Sequence, residues 1–302
     1  MRRSIFSSVA LILLALSAQA QKTDMAQVLV HYKFTHVRDT TDRAHPYTEN
    51  MVLFVGKSAS AYKSYDGISA KAQFKKAYAE AAAASPDGQA RINRTNAGSA
   101  TEYYQFPNGK KLFTKDNLMM NSYLIEGPIP QIDWRISSDT ANLAGLHCQK
   151  ATGHFKGRDY TVWFCPDLPV HTGPWELNGL PGVIVDARDA KNEVVFAFDG
   201  VEKAVPAPPY TGPADADLPP VLWGLNDDPN VIAPPAKAIK TTQKEFDKLK
   251  AAMRKDPNAF GQAMNAANRA EGLKTYDFKA AKRPGGNHGP VINNPIELPE
   301  KK

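Results

Sequence analysis

The stretch GPWELNGLPGVIVDARD runs from Gly173 to Asp189, and its two halves differ in kind. Gly173-Pro174 and Gly179-Leu180-Pro181-Gly182 are turn sequences set around Trp175. Pro181 presets φ and Gly182 supplies positive φ, the chemistry of a type II turn. From Val183 the pattern changes: Val183, Val185 and Ala187 alternate with Ile184, Asp186 and Arg188. Period-two alternation is the mark of a strand, so the turn feeds a strand. A phosphate loop would need G-x-x-x-x-G-K and a following helix, and neither is present. Gly and Pro carry no nucleophile or titrating proton, so the corner reads as architecture packed on Trp175.

Working outward, the same strand-and-turn grammar repeats. GLHCQKATGHF and YTVWFCP lie upstream; EVVFAFDG lies downstream, across a turn at Ala190-Lys191-Asn192. Near the N-terminus, AQVLVHYKFTHV places Val28, Val30, Tyr32 and Phe34 on one face and Leu29, His31, Lys33 and Thr35 on the other. NMVLFVG and SAYKSY follow. TEYYQFPNGKKLFTK carries Asn108-Gly109 between β-rich runs, a strong hairpin signal. NSYLIEG and QIDWRIS continue the series, broken at Gly127-Pro128. Short strands joined by tight turns predict a mainly β protein: a curved antiparallel sheet or half-open barrel meander with a few peripheral helices.

The helices stand apart from this series. SAKAQFKKAYAEAAAASPDG predicts a helix over 70–84, capped by Ser69 and closed by Pro86 and Gly88. Its apolar face (Phe74, Ala77, Tyr78, Ala81) is thin, as in an insertion lying on a surface. Residues 204–240 are rich in proline and read as an extended linker or lid. Thr242 and Glu245 form a capping box that opens a helix; Asp256-Pro257-Asn258 breaks it, and a second helix runs to about Ala270. The expected organisation is a leader over 1–20, a β domain over 21–203, the linker over 204–240, and C-terminal helices with a loop tail over 241–302.

The leader reading rests on Arg2 and Arg3, the apolar run Val9–Leu16, and the small-x-small site Ala18-Gln19-Ala20. It predicts secretory export with a mature start at Gln21. No cysteine follows that site, so a lipid anchor is not indicated, and no later run could span a bilayer. Losing Arg2 and Arg3 lowers the formal charge from +6 to +4, 35 basic residues against 31 acidic. That excess is spread along the chain and forms no basic arm or helix face for nucleic acid.

Export directs attention to Cys148 and Cys165. A two-residue turn at Lys156-Gly157 sets Phe155 opposite Arg158, and paired residue numbers then sum to 313. Cys148 and Cys165 satisfy that sum, stand directly opposite each other, and can form a disulfide. A turn at Gly157-Arg158 shifts the register and sets Cys148 against Asp167 instead. Neither cysteine belongs to a C-x-x-C, so a metal site is not indicated.

LHCQKATGHFKGRDYTVWFCPDLPVHTGPWELNGLPGVIVDARD resembles the signature of the GLPGLI family, also called the Porph_ging domain. The matching residues are Cys148, Lys150, Ala151, Thr152, Gly157, Arg158, Tyr160, Trp163, Phe164, Gly173, Pro174 and Gly179, Leu180, Pro181, Gly182. YKFTHVRDT and MVLFVGKSASAYKSY resemble the family's opening strands, and NNPIEL its closing segment. Val183 departs from the pattern, which has Leu there. The resemblance implies an exported envelope protein of Gram-negative bacteria and no established activity.

Three functional readings follow. The first is a non-enzymatic protein that binds an apolar ligand or a peptide, with Trp134, Trp163, Trp175 and Trp223 as candidate contacts. The second is a hydrolase or processing factor using His171 with nearby carboxylates Glu176, Asp186 or Asp189. The third is a scaffold docking on an outer-membrane receptor through the proline-rich stretch. The seven histidines form no H-E-x-x-H or H-x-H, and no G-x-S-x-G occurs. No catalytic residue, metal or cofactor is therefore assigned.

Overall fold

A computed structural model describes residues 23–84, 98–119, 121–206, 228–270 and 291–300. The leader with Gln21, most of the proline-rich stretch with Trp223, and much of the tail lie outside these residues. The protein is mainly β, 44% strand and 21% helix, and its large sheet does not close into a barrel.

The strands are β1 (Asp24–Met25), β2 (Val28–His36), β3 (Tyr47–Val55), β4 (Ser60–Ser64), β5 (Glu102–Phe106), β6 (Lys111–Leu118), β7 (Asn121–Pro128), β8 (Arg135–Leu143), β9 (Leu146–Phe155), β10 (Arg158–Cys165), β11 (Val183–Asp189), β12 (Val194–Lys203), β13 (Val231–Ile232) and β14 (Ile239–Thr241). The helices are α1 (Tyr65–Ala84), α2 (Gln243–Lys255) and α3 (Pro257–Ala270). The twelve-stranded sheet has the order β14-β7-β6-β5-β4-β3-β2-β12-β11-β10-β9-β8. Two antiparallel meanders, β2 to β7 and β8 to β12, are sewn together where β12 pairs with β2. The stretch read as a linker supplies two strands: β13 pairs with β1, and β14 adds in parallel to β7.

Tyr62 on β4 and Phe196 on β12 bring their ring centroids within 6.2 Å. Strands three apart in a flat sheet would be about 14 Å apart, so the sheet curves toward this face. The concave face holds the main core, from Val30, Tyr32, Leu53 and Tyr62 across to Val162, Phe164 and Phe196. The opposite face of β3–β7 buries Val52, Phe54, Tyr104 and Leu124, with Ile68 of α1 packed against it. Helices α2 and α3 cover Tyr123 and Ile125 with Phe246 and Phe260.

Three local expectations change. Helix α1 begins at Tyr65, not near 70, because Ser64 caps it by accepting the Gly67 N–H at 2.9 Å. Gly67 is a poor helix former and hid this first turn from the sequence pattern. The Asn108-Gly109 hairpin is real, but its loop spans four residues, Phe106 opposite Lys111. Pro107 opens a 3-10 turn, and the left-handed residue is Lys110 (φ 50°). At the Leu180-Pro181-Gly182 corner, the Gly182 N–H bonds back to the Leu180 carbonyl, giving a tighter γ-type turn around Pro181. The Val183 N–H is drawn off to the Leu168 carbonyl and cannot close a type II turn. Among the described residues no helix is long and apolar enough to cross a membrane.

Candidate functional site

The β9–β10 hairpin turns on Lys156 (φ 48°) and Gly157 (φ 74°), the two positive-φ residues of a type I′ turn. Phe155 faces Arg158, and every pair down to Gln149–Phe164 keeps that register. Cys148 and Cys165 come next and form the disulfide, with Cα atoms 4.1 Å apart. The first of the two registers considered from sequence is therefore the one formed.

Between β10 and β11, residues 166–182 lie as a strap across the concave face. Gln105 on β5 binds it. Its Nε2 lies within 3.1–3.4 Å of the carbonyls of Gly173, Trp175 and Leu177, and its Oε1 accepts from Thr172 Oγ1. Thr172 also meets Ser60 Oγ at 2.5 Å. Trp175, in a left-handed conformation (φ 55°), is buried, stacked on Phe196 and packed on Phe155. The Trp134 indole N–H donates to the Asn178 carbonyl at 2.8 Å, and its ring lies over Gly153. Trp163 is half-buried at the rim of the same core. The three tryptophans thus fill and edge the concave face. Two surface concavities, about 500 and 330 Å³, are lined by other residues, among them His147 and Gln149, and His31 and Tyr65.

The proposed acid–base residues do not converge. Glu176 pairs with Lys156, Asp186 with Arg188, and Asp189 with Arg158. His171 is exposed, and its side chain makes no hydrogen bond or ion pair among the described residues. Burial raises the Glu176 carboxyl, with Lys156 opposing. Among the described residues no three His, Cys, Asp or Glu side chains gather as a metal site requires.

What does converge is a groove that holds the chain's own C-terminal segment, residues 293–300. Its walls are the end of β2, the β11–β12 turn and the β9–β10 turn. Arg158 is its centre. Nε donates to the Ile296 carbonyl, Nη1 to Asp189 and Glu193, and Nη2 to Asn294 Oδ1 and the Pro295 carbonyl. Those five bonds account for all five guanidinium donors. The side chains of Arg158, Asp189 and Glu193 are only 2%, 3% and 4% exposed, so this pairing is a condition of burying them at all. Arg43 reaches Glu193 from outside at 2.5 Å.

Asn294 is equally saturated. Its N–H donates to the Arg38 carbonyl, and its carbonyl accepts from His36 Nε2 at 2.8 Å. Its Nδ2 donates to the Val37 carbonyl and Glu193. Pro295 brings no N–H that would need a partner. Further along, the Leu298 N–H donates to the Lys156 carbonyl, and Lys156 Nζ meets Glu297 at 2.7 Å. A Cβ at Gly157 would lie 2.5 Å from the Leu298 carbonyl oxygen, so glycine is needed for approach as well as for φ. At the end, His154 bridges Asp159 and Glu300.

Titration follows from these contacts. Burial, with lesser repulsion from Arg38 and Arg158, pushes His36 down to about 4 against the pull of the Asn294 carbonyl. Burial alone would raise Glu193, but Arg43, Arg158 and Asn294 hold its carboxyl below the usual range. Hydrogen bonds to Asp159 and Glu300 raise exposed His154. The sequence reading had Gly157, Arg158 and NNPIEL in hand but as separate matches. A long-range pairing of residues 136 apart has no local signal.

No protein-family model matches the chain, and no curated protein does. Two solved structures resemble it in part, both of PNGF-II, in its C2 and P21 space groups. Each is 12% identical, with TM-scores of 0.45 and 0.44, over 74% of this chain and 32% of that one. This chain thus spans about a third of the length of that protein.

Proposed function

We propose that the chain is an exported envelope protein of GLPGLI type, periplasmic or secreted, that acts by binding a peptide and not by catalysis. The supporting observation is the groove around Arg158, which already holds a peptide of known sequence. It grips that segment through backbone groups at Asn294, Pro295, Ile296 and Leu298 and through the side chains of Asn293, Asn294, Glu297 and Glu300. Asn294 is the buried anchor. The concave face is filled by Trp175, Leu177 and Leu180, which favours a peptide over a small apolar ligand.

The test uses the full chain carrying Asn294→Ala, which weakens its own segment and leaves the groove intact. A fluorescent peptide of residues 291–300 is titrated into it and followed by anisotropy. The expected result is saturable binding that unlabelled peptide competes away and that the Asn294→Ala peptide does not. No saturable binding to the folded variant would overturn the reading.

A further inference from the structure

We infer that the partner of the Arg158 groove is the C-terminal segment of a second copy of this chain, so that copies exchange their ends. This rests on the peptide-binding reading above. Three observations favour a second copy as the occupant. First, every hydrogen bond from residues 293–300 goes to β2 and the residues just after it, the β9–β10 hairpin, or the β11–β12 turn. None reaches the helices that precede the segment, so its seat is the same whichever copy delivers it. Second, twenty residues separate Ala270 from Val291. A chain of that length spans at most ~70 Å, against a radius of gyration of ~19 Å for a compact chain of this size. Covalent length alone therefore allows a neighbour's groove to be reached. Third, Val291 and Ile292, at the entry to the groove, are 58% and 56% exposed when the segment docks on its own body. Two arms crossing at that point would bury these apolar residues against each other.

The occupant's chemistry is set by the walls. Arg158 takes two consecutive carbonyls, Pro295 and Ile296, while His36 and the Arg38 carbonyl hold the backbone of residue 294; Val37 and Glu193 as acceptors and Arg158 as donor together select a side chain that both donates and accepts, as that of Asn294 does. Docking within one chain has the advantage of an effective concentration near the millimolar range, so exchange at lower concentration is visible only when docking in cis is blocked.

Two full-chain variants provide that block. Gly157→Val has an intact segment and an obstructed groove; Asn294→Ala has an open groove and a weakened segment. Each alone is expected to sediment as a monomer at tens of micromolar. Their equimolar mixture is expected to contain a species of twice the monomer mass. If the mixture stays monomeric while free peptide 291–300 binds Asn294→Ala, exchange is refuted and the peptide groove stands. If the peptide also fails to bind, the groove reading falls with it.

Should Gly157→Val not fold, an equimolar mixture of isotopically light and heavy full chain at millimolar concentration replaces it, treated with a carbodiimide that joins the Lys156 amine to the Glu297 carboxylate 2.7 Å away. Light-to-heavy Lys156–Glu297 cross-links in a covalent dimer are expected. Cross-linking confined to monomers overturns exchange.

Discussion

Gly182 lies directly against the carbonyl of Cys165: a Cβ built on Gly182 would fall on that oxygen. The contact closes the strap at the point where β10 ends and β11 begins, with Cys165 opposite Val183. Gly182 also has φ +156°, at the edge of the range that side chains rarely adopt. The two constraints act together, since backbone cannot rotate away as a side chain could. Gly182→Val is expected to destabilise the fold by about 1–3 kcal/mol through backbone strain, with overlap against Cys165 adding to it. Thermal unfolding measures this, and an unchanged melting temperature would mean that the strap relaxes without cost.

The same strand end carries the disulfide. Labelling of the unfolded, unreduced protein is expected to find no free thiol, since among the described residues neither cysteine is free. The bridge joins residues 17 apart and so encloses 16. A loop of that size is worth roughly 3 kcal/mol in the chain-entropy account. Reduction should lower the denaturation midpoint accordingly; a midpoint that does not move would show that the register alone holds the hairpin.

These features were legible to different degrees. The β9–β10 hairpin was legible because Gly157 admits positive φ, but Gly157 belongs to both candidate turns and left two registers open; the structure forms the one that sets Phe155 opposite Arg158, and side-chain period then carries it to Cys148 and Cys165. The strand series followed because alternation is local. The N-terminus of α1 did not, because Ser64 reads as the end of a strand while serving as a helix cap. The tightened corner at Pro181 did not, because its competing acceptor is Leu168, thirteen residues upstream. The Arg158 groove was least legible. Buried charge is decided by partners from β11, the β11–β12 turn and residue 294, which only the fold brings together.

Acid should loosen the groove before it unfolds the sheet. His36 has its folded value lowered to about 4, so it is neutral when docked. A histidine depressed in this way contributes stability that is fully present above the unfolded value of about 6.5 and lost as pH falls toward 4, about 3 kcal/mol at most. Its surroundings carry Arg38, Arg158 and Asp189. Glu193, also lowered, acts in the same direction at lower pH: its contribution is lost as pH falls through the carboxylate range. His154 has the opposite sign. Its value is raised, so its bridge to Glu300 weakens as pH rises through that raised value. Protection from hydrogen exchange at residues 293–298, the observed rate relative to the intrinsic rate at each pH, is expected to be greatest between these limits. His36→Gln keeps a donor for the Asn294 carbonyl without titrating, and should flatten the change between pH 6.5 and 4. An undiminished acid response in that variant would assign it to the carboxylates.

Asn294 gives the sharpest discrimination between shape and charge in the groove. Asn294→Ala removes a side chain that accepts from Arg158 at 2.8 Å and donates to the Val37 carbonyl at 2.7 Å and Glu193 at 3.1 Å. It leaves Arg158 short of one acceptor and the Val37 carbonyl short of its donor. Each unsatisfied buried group costs about 1–3 kcal/mol, comparable to what holds a segment this short in place. Asn294→Asp keeps the size and the acceptor for Arg158. It replaces both donor bonds with an oxygen facing the Val37 carbonyl and the Glu193 carboxylate. Arg158 cannot offset this fully, because all five of its donors are already engaged. Asp is therefore expected to release the segment more than Ala does at pH 7, seen as faster proteolysis after Val291 and faster exchange at residues 293–298. The gap should narrow as pH falls and the new carboxyl, facing the Glu193 carboxylate, takes up a proton. Equal release by Ala and Asp would mean that Asn294 is held by its backbone bonds to Arg38 and His36 alone.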